Sequence, residues 1–433
     1  MTSPSFPRAL PTGLRFVPLT ADDKPAVLDL DTWAFPGTVP VAELEAMPFP
    51  LTWDRSWGVR GEDVEDGPLL GIHGSYPFGA FPVPGATVPV SGLTWVGVHP
   101  QARRRGILSA MIDRHLSDCV ERGEPVSALF AAEPAIYGRF GYGSAADDIK
   151  VTLARGAALR DVPGSAEHTA RIEHATQDAH GALVDTVHRA AGSAAGGGLG
   201  RPGWATRQTP ELQASFWSDP PQWRNGGESL RILVVERDGQ PRGYALFRRK
   251  SVWEDAGPRG TVHVREAVAL DAAAAHALLS RLLDLDLMAS VHVGMLPTDD
   301  ALLGLLVDTR AGERRVSDNV WVRVVDVPAA LAARRYAADV DVTLAVRDER
   351  LASNTGTWRV RARAFEADVH VERTQAPADL ALDVRELGSA YLGGRALTGL
   401  AQAGLVDVRE AAALGRASAA FGWPVAPVCS WVF

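Results

Sequence analysis

The chain has 433 residues, enough for two to four domains of ordinary size. With 46% hydrophobic and 22% charged residues each domain can build a core, which excludes a largely disordered chain and a disulfide-stapled miniprotein. A net charge of −8 counts against a general nucleic-acid binder, the two cysteines exclude a four-cysteine zinc site, and no apolar run reaches the ~18 residues of a membrane span.

The N-terminal MTSPSFPRALPTG has no apolar stretch of the kind a secretory leader needs, so a reducing cytoplasm is expected. Residues from about 13 to 155 alternate strand-like and helical patterns. Leu14–Leu19 reads as a strand. Ala21–Ala34 has helical spacing behind Thr20, a plausible N-cap. Leu69–His73 and Leu93–Val98 are β-rich. Gly106–Val120 carries Ile107, Leu108, Met111, Ile112, Leu116, Cys119 and Val120 at the helical period, with His115 on the solvent side and Gly123 as a stop. Val126–Ala131 is a further buried strand, completing a strand–helix–strand unit. From about 156 to 311 the α/β flavour repeats. Gly192–Gly200 reads as a loop, Leu230–Glu236 and Gly243–Arg248 as strands, Ala272–Leu287 as a helix and Ser290–Met295 as a strand. From about 312 to 433, period-2 patterns at Val320–Val327, Val340–Arg347, Trp358–Arg363 and Ala367–Glu372 precede helices near Val384–Leu392 and Val408–Ala413. They form a small antiparallel α+β domain.

The chemistry concentrates in residues 93–143. A strand ending at Pro100 is followed by Arg103-Arg104-Arg105-Gly106 and then directly by a helix. Unpaired N–H groups at a helix N-terminus, a glycine and adjacent guanidiniums suit a pyrophosphate. The alternative is a solvated basic turn capping a core helix. Downstream, Ile136–Gly143 reads IYGRFGYG, whose tyrosines are either reactive or core groups. The chain ends in APVCSWVF, an apolar tail suited to burial, either packed on a core or carrying its carboxylate inside the protein. There is no HExxH, GxSxG or cluster of metal-ligand residues, so no metal is expected. Cys119 reads as a core thiol.

The Arg-Arg-x-Gly turn, with Leu108 where most of the superfamily has a small residue, together with EPVSALFAAEPAIYGRFGYG (Glu124–Gly143), resembles the Eis family of aminoglycoside N-acetyltransferases within the GNAT superfamily. The likeness extends to GYALFRR at Gly243–Arg249, to WVRVVDVPAALAARRY at Trp321–Tyr336, and to the terminal Phe433. The resemblance implies an α+β fold in three parts. These are a GNAT domain with the acetyl-CoA site at 1–155, a degenerate GNAT-like domain at 156–311, and a domain like sterol carrier protein 2 at 312–433. The two tandem GNAT-like domains would each be a mixed sheet with flanking helices. The middle region lacks the Arg-Arg-x-Gly turn and is expected to shape the substrate cleft without binding a cofactor.

The implied reaction is acetyl transfer from acetyl-CoA to a primary amine of a small polycationic molecule such as an aminoglycoside. Protein lysines, or a non-catalytic binding role, are the alternatives. By the resemblance, acetyl-CoA falls on Val96, Gly97 and Val98, on Arg104, Arg105, Gly106, Ile107, Leu108 and Ser109, and on Ala132 and Glu133. Tyr137 is the general acid, the Phe433 carboxylate the general base, and Tyr142 a structural neighbour. Asp31, Trp33, Phe35 and Trp95 are expected at the acceptor pocket, with Asp31 either supplying an acid where Val432 supplies none or standing as a solvated helix-face aspartate. A homohexamer, with no nucleic-acid or membrane partner, completes the expectation.

Overall fold

The computed structural model describes residues 8–63 and 67–433; residues 1–7, the start of the N-terminal stretch read for a leader, lie outside them. Two compact units emerge. One takes residues up to 146, 320–424 and 433, and the other 147–319 and 425–432.

The first unit holds a seven-stranded mixed sheet in the order Leu14–Pro18, Trp57–Gly61, Gly71–Val83, Ala86–Val98, Val126–Phe130, Val320–Val324, Gly143–Ser144. Neighbours are antiparallel except Ala86–Val98 beside Val126–Phe130. Ile107–Glu121 forms the parallel crossover. It buries Ile107, Met111, Ile112, Leu116 and Cys119, as the period predicts. Val120 is exposed instead. His115, expected in solvent, is buried and bonds Ser127 Oγ through Nε2 at 2.8 Å. The polar ring stays inside because a hydroxyl meets it there.

This unit also carries a five-stranded sheet ordered Val369–Arg373, Gly356–Ala362, Val340–Arg347, Leu380–Asp383, Val406–Val408. Arg323 ties it to the larger sheet. Its guanidinium takes both oxygens of Asp348 at 2.7 and 2.8 Å and the Phe140 carbonyl at 2.9 Å, so a fully buried charge is paired and hydrogen-bonded. The helix expected at Val408–Ala413 is a strand, Val406–Val408, followed by a helix at Ala411–Phe421 capped by Glu410.

The second unit holds a sheet ordered Gly312–Asp318, Asp147–Ala154, Met288–Pro297, Gly260–Ala269, Gln240–Lys250, Arg231–Arg237, Thr169–His174. Here the expected boundaries shift. Asp147–Ala154, read as the end of the first region, pairs with Met288–Pro297 and Gly312–Asp318. Conversely, Val320–Val324, read as part of the last region, lies between Val126–Phe130 and Gly143–Ser144. The stretch read as a loop at Gly192–Gly200 is helical up to Ala194; the helix Gln177–Gly198 breaks only at Ala195–Gly197. Gly192 stays in the helix for a packing reason: a Cβ there would lie 2.2 Å from Trp204. The helix Ala272–Leu283 ends four residues before its expected limit.

Candidate active site

Ala86–Val98 and Val126–Phe130 pair only over Val90–Gly92 and Val126–Ala128. Past that point both continue but separate, opening a V in the sheet. Trp95 sits at φ 54, at a register irregularity between Ala86–Val98 and Gly71–Val83. His99 N–H bonds the Leu70 carbonyl at 3.0 Å, so alternation turns the Val98 N–H toward the opening.

The V widens into a cleft of about 680 Å³. Beyond the strand, a short 3₁₀ turn at Pro100–Ala102 leads to Arg104 at φ 62 and Gly106 at φ 93. Gly106 is the N-cap of Ile107–Glu121 and has no side chain to satisfy the first-turn amides. A Cβ at Gly106 would touch nothing within 4 Å, so the left-handed backbone calls for glycine and the space above stays open. Arg103, Arg104, Arg139 and Arg350 line the cleft against one acid, Glu133. Open amides at a long helix start, facing surplus guanidiniums, suit a diphosphate.

Most sequence-predicted residues converge here. Val96, Gly97, Val98, Arg104, Gly106, Ile107, Leu108, Ser109, Ala132, Glu133, Tyr137, Trp33 and Phe35 all line the cleft. Arg105 does not: it is exposed on the turn. Asp31 and Trp95 also stay out of the cleft lining. Trp95 packs at a tilt against Phe49, ring centroids 4.9 Å apart, and donates its indole N–H to Tyr76 Oη at 3.1 Å, within a cluster that includes Leu30 and Ile72. Asp31, on the helix Lys24–Ala34, is half-buried, and desolvation pushes its carboxyl up to about 6. Trp33, 57% exposed, lies 5.2 Å from the His99 ring.

Tyr137 ends the short helix Pro134–Tyr137. Its ring is buried beside Tyr142 at 6.0 Å, and its hydroxyl makes no hydrogen bond among the described residues. Burial, reinforced by Glu133, pushes the phenol up to about 12. Tyr142 differs: its hydroxyl is tied to Ser127 Oγ at 2.8 Å. Phe433 is not a wall residue of the cleft. Its ring packs edge-on against Phe78 at 4.9 Å and Phe130 at 5.1 Å, beside Gly92. Gly92 is the last paired residue before the strands part, so the final side chain seats at the apex of the V.

Among the charged residues of the cleft, Arg8, Arg139 and Arg350 lie outside the sequence-based expectation. Arg139 stands two positions after Tyr137 within the aromatic motif and was findable there. Arg350 had no local signal. It comes from beyond the strand Val340–Arg347, pairs with Asp113, lies 4.5 Å over Phe140, and keeps a buried Nε with no partner among the described residues. No helix among the described residues is long and apolar enough to cross a membrane.

A parallel strand pair splayed around a helix start, with a basic glycine turn at that start, defines a GNAT-type acyltransferase site. Comparison with known proteins agrees. Residues 15–145 and 203–324 each match the acetyltransferase (GNAT) domain, and residues 327–430 match the sterol carrier protein domain. An uncharacterized N-acetyltransferase of Streptomyces avermitilis is 38% identical over 91% of this chain and 93% of its own length. N-acetyltransferase Eis of Mycobacterium tuberculosis is 34% identical over 78% of this chain and 80% of its own length. The crystal structure of Eis1 from Mycobacterium abscessus superposes with a TM-score of 0.80 at 31% identity, over 98% of this chain and 100% of that one. The chain belongs to the Eis family of GNAT N-acetyltransferases. Its activity is acetyl-CoA-dependent N-acetyl transfer.

Proposed function

We propose that the acceptor is a primary amine of a small polycationic molecule, aminoglycosides included, and that Tyr137 and the Phe433 carboxylate handle its protons. The observation that carries the reading is that Tyr137 and the Gly106 helix start line one splayed-strand cleft, while the Phe433 ring seats where the two strands part. The cleft fits acetyl-CoA. Arg103 and Arg104 with the uncapped first turn at Gly106 would hold the diphosphate, and the Val98 N–H the pantetheine arm. Arg105 does not line the cleft and is left out of this assignment. When bound, acetyl-CoA supplies the thioester carbonyl that an amine attacks.

The protein's contribution is position and charge. Cleft walls that hold the amine beside the thioester remove much of the entropic barrier. Tyr137, with its phenol near 12, carries its proton at every physiological pH and aims a hydrogen bond at the departing sulfur. A thiol of ordinary pKa ~8.5 is the stronger acid, so that hydrogen bond stabilises the thiolate as it forms and full protonation comes later. The terminal carboxylate, ordinarily near ~3.5, takes the amine proton directly or through water once desolvation strengthens it as a base. Asp31, away from the cleft wall, acts on the acceptor as a field: a half-buried carboxylate on the helix that also carries Trp33 favours an approaching ammonium. Trp95 supports this face through Phe49 without lining the cleft.

The homohexamer implied by the resemblance is kept as part of the proposal. Exposed Trp223 and Trp253 supply apolar surface that assembly would cover. Both cysteines are free and buried, in keeping with a reducing cytoplasm. The test of the acceptor class is acetyl transfer measured with aminoglycosides, linear polyamines and a lysine peptide at equal concentration. Preference for the first two supports the reading, and preference for the peptide overturns it.

A further inference from the structure

The second unit repeats the splayed-strand architecture. Gly260–Ala269 and Met288–Pro297 pair in parallel only over Gly260–Val264 and Met288–Val293. Beyond that, Gly260–Ala269 stays with Gln240–Lys250 while Met288–Pro297 bends away at Met295, φ 54, toward Asp147–Ala154. The gap is a cavity of about 310 Å³. At ~30 Å³ per water-sized group it holds about ten non-hydrogen atoms.

Its chemistry is opposite to that of the first cleft. Between the strand and the helix Ala272–Leu283 stand only Leu270 and Asp271, with no arginine. Asp271 caps the helix with its own carboxylate, accepting from Ala274 N–H at 2.9 Å, and pairs with Arg242 at 2.6 Å. The place a phosphate would take at a helix start is therefore filled by the protein's own anion. The walls are apolar, with Ala275, Leu278, Leu279 and Val293 among them.

The charges on the walls divide unevenly. Arg201 is held by Asp299 at 2.7 Å and by the Ala426 carbonyl at 2.6 Å. Glu266 is held by Arg207 and Tyr244, each at 2.6 Å, and by Ser430 at 2.9 Å. Asp300 is different. One oxygen accepts from Leu302 N–H at 2.9 Å, and the other takes no hydrogen bond or ion pair among the described residues. The group is partly buried, and desolvation raises its carboxyl above the usual range against the pull of Arg201. Arg201 shares the cavity wall and its charge reaches Asp300, but it makes no ion pair there; a partly buried carboxylate that borders an apolar cavity without a direct ion pair is stabilised by a cation brought from outside.

We propose that the splayed cleft of the second GNAT-like domain is a binding site for a compact amine, its ammonium on Asp300 and its apolar body against Ala275, Leu279 and Val293. CoA is not its ligand, because the helix start is self-capped. Its lining residues all belong to the second unit.

The test uses the full chain with saturating CoA, so that the first cleft's anion site is filled. The probe is 2-phenylethylamine, titrated calorimetrically, with 2-phenylethanol as its uncharged counterpart. Asp300→Asn removes the charge and keeps the cap, since asparagine caps as well as aspartate. Ala275→Phe fills the cavity. Amine binding that weakens at least tenfold in the first variant and disappears in the second, with CoA affinity and melting unchanged, supports the site; so does at least tenfold weaker binding of the alcohol. Should Ala275→Phe fold poorly, a crystal soaked in the amine decides by location. Equal amine binding in wild type and Asp300→Asn, equal binding of amine and alcohol, or amine found only in the first cleft overturns it.

Discussion

Asp31 should make the protein less stable than it need be, and Asp31→Asn should reveal this. Its carboxyl is raised from 3.8 to about 6 by desolvation. A folded-state value above the unfolded one means that the folded protein holds the proton more tightly. Ionisation between pH ~4 and 6 therefore favours unfolding, and the cost is fully present at neutral pH. Two pKa units set a ceiling of roughly 3 kcal/mol. The group is only half-buried, so solvent screening leaves ~1–2 kcal/mol. Asp31→Asn should stabilise the chain by that amount at pH 7.5. The gain should shrink through pH 5 and vanish below about 4. Urea midpoints of both proteins across this range give the difference directly. Under the proposed role, the same variant should raise KM for a polycationic acceptor several-fold while leaving KM for acetyl-CoA unchanged. An Asn variant no more stable at pH 7.5, or a gain independent of pH, refutes the reasoning; an unchanged acceptor KM would remove Asp31 from function.

Further outcomes follow from the site and the core. Tyr137→Phe should lower kcat by ~10²-fold or more with acetyl-CoA affinity retained. Tyr142→Phe should instead cost about 1 kcal/mol of stability through its lost bond to Ser127, at near-normal turnover. Gly106→Ala forces a side chain into φ 93. It should cost ~1–2 kcal/mol and raise KM for acetyl-CoA more than it lowers kcat. His73, both ring nitrogens buried and unpartnered, is pushed down to about 3 by burial, and His115 beside it is pushed down as well. Unfolded chains bind these protons below pH 6.5 while the folded protein does not. Stability should be flat above ~6.5 and fall on acidification by up to ~1.4 kcal/mol per pH unit for each histidine. A hydrophobic replacement at His73 should flatten that slope, as read from denaturation midpoints.

The contiguous parts of this molecule were legible in sequence. Helix Ile107–Glu121 announces itself by period, and the Arg-Gly turn before it marks the cleft. The long hairpin of Gly71–Val83 and Ala86–Val98 was underread because Pro77, Pro82 and Pro89 and several glycines interrupt its pattern. Trp57–Gly61, with two glycines in five residues, carries no clear strand pattern in sequence. The exchange of Asp147–Ala154 and Val320–Val324 between sheets is a matter of long-range pairing, which periodicity does not encode. His115 shows the limit of a helical-wheel argument, because a buried hydroxyl on another strand decided its place. The same holds for Arg350, brought to the cleft by an ion pair 237 positions away in sequence. Trp95, expected at the acceptor pocket, does not line the cleft and packs against Phe49 from a backbone at positive φ.

The most direct test concerns the end of the chain. CoA release from acetyl-CoA would be followed with aminoglycosides and simple polyamines, for protein ending at Phe433 and for protein extended by a few residues. The account predicts turnover in the first, loss in the second by orders of magnitude, and equal acetyl-CoA affinity in both. Equal turnover would contradict the role of the terminal carboxylate; no turnover with any small amine in either would contradict the proposed acceptor.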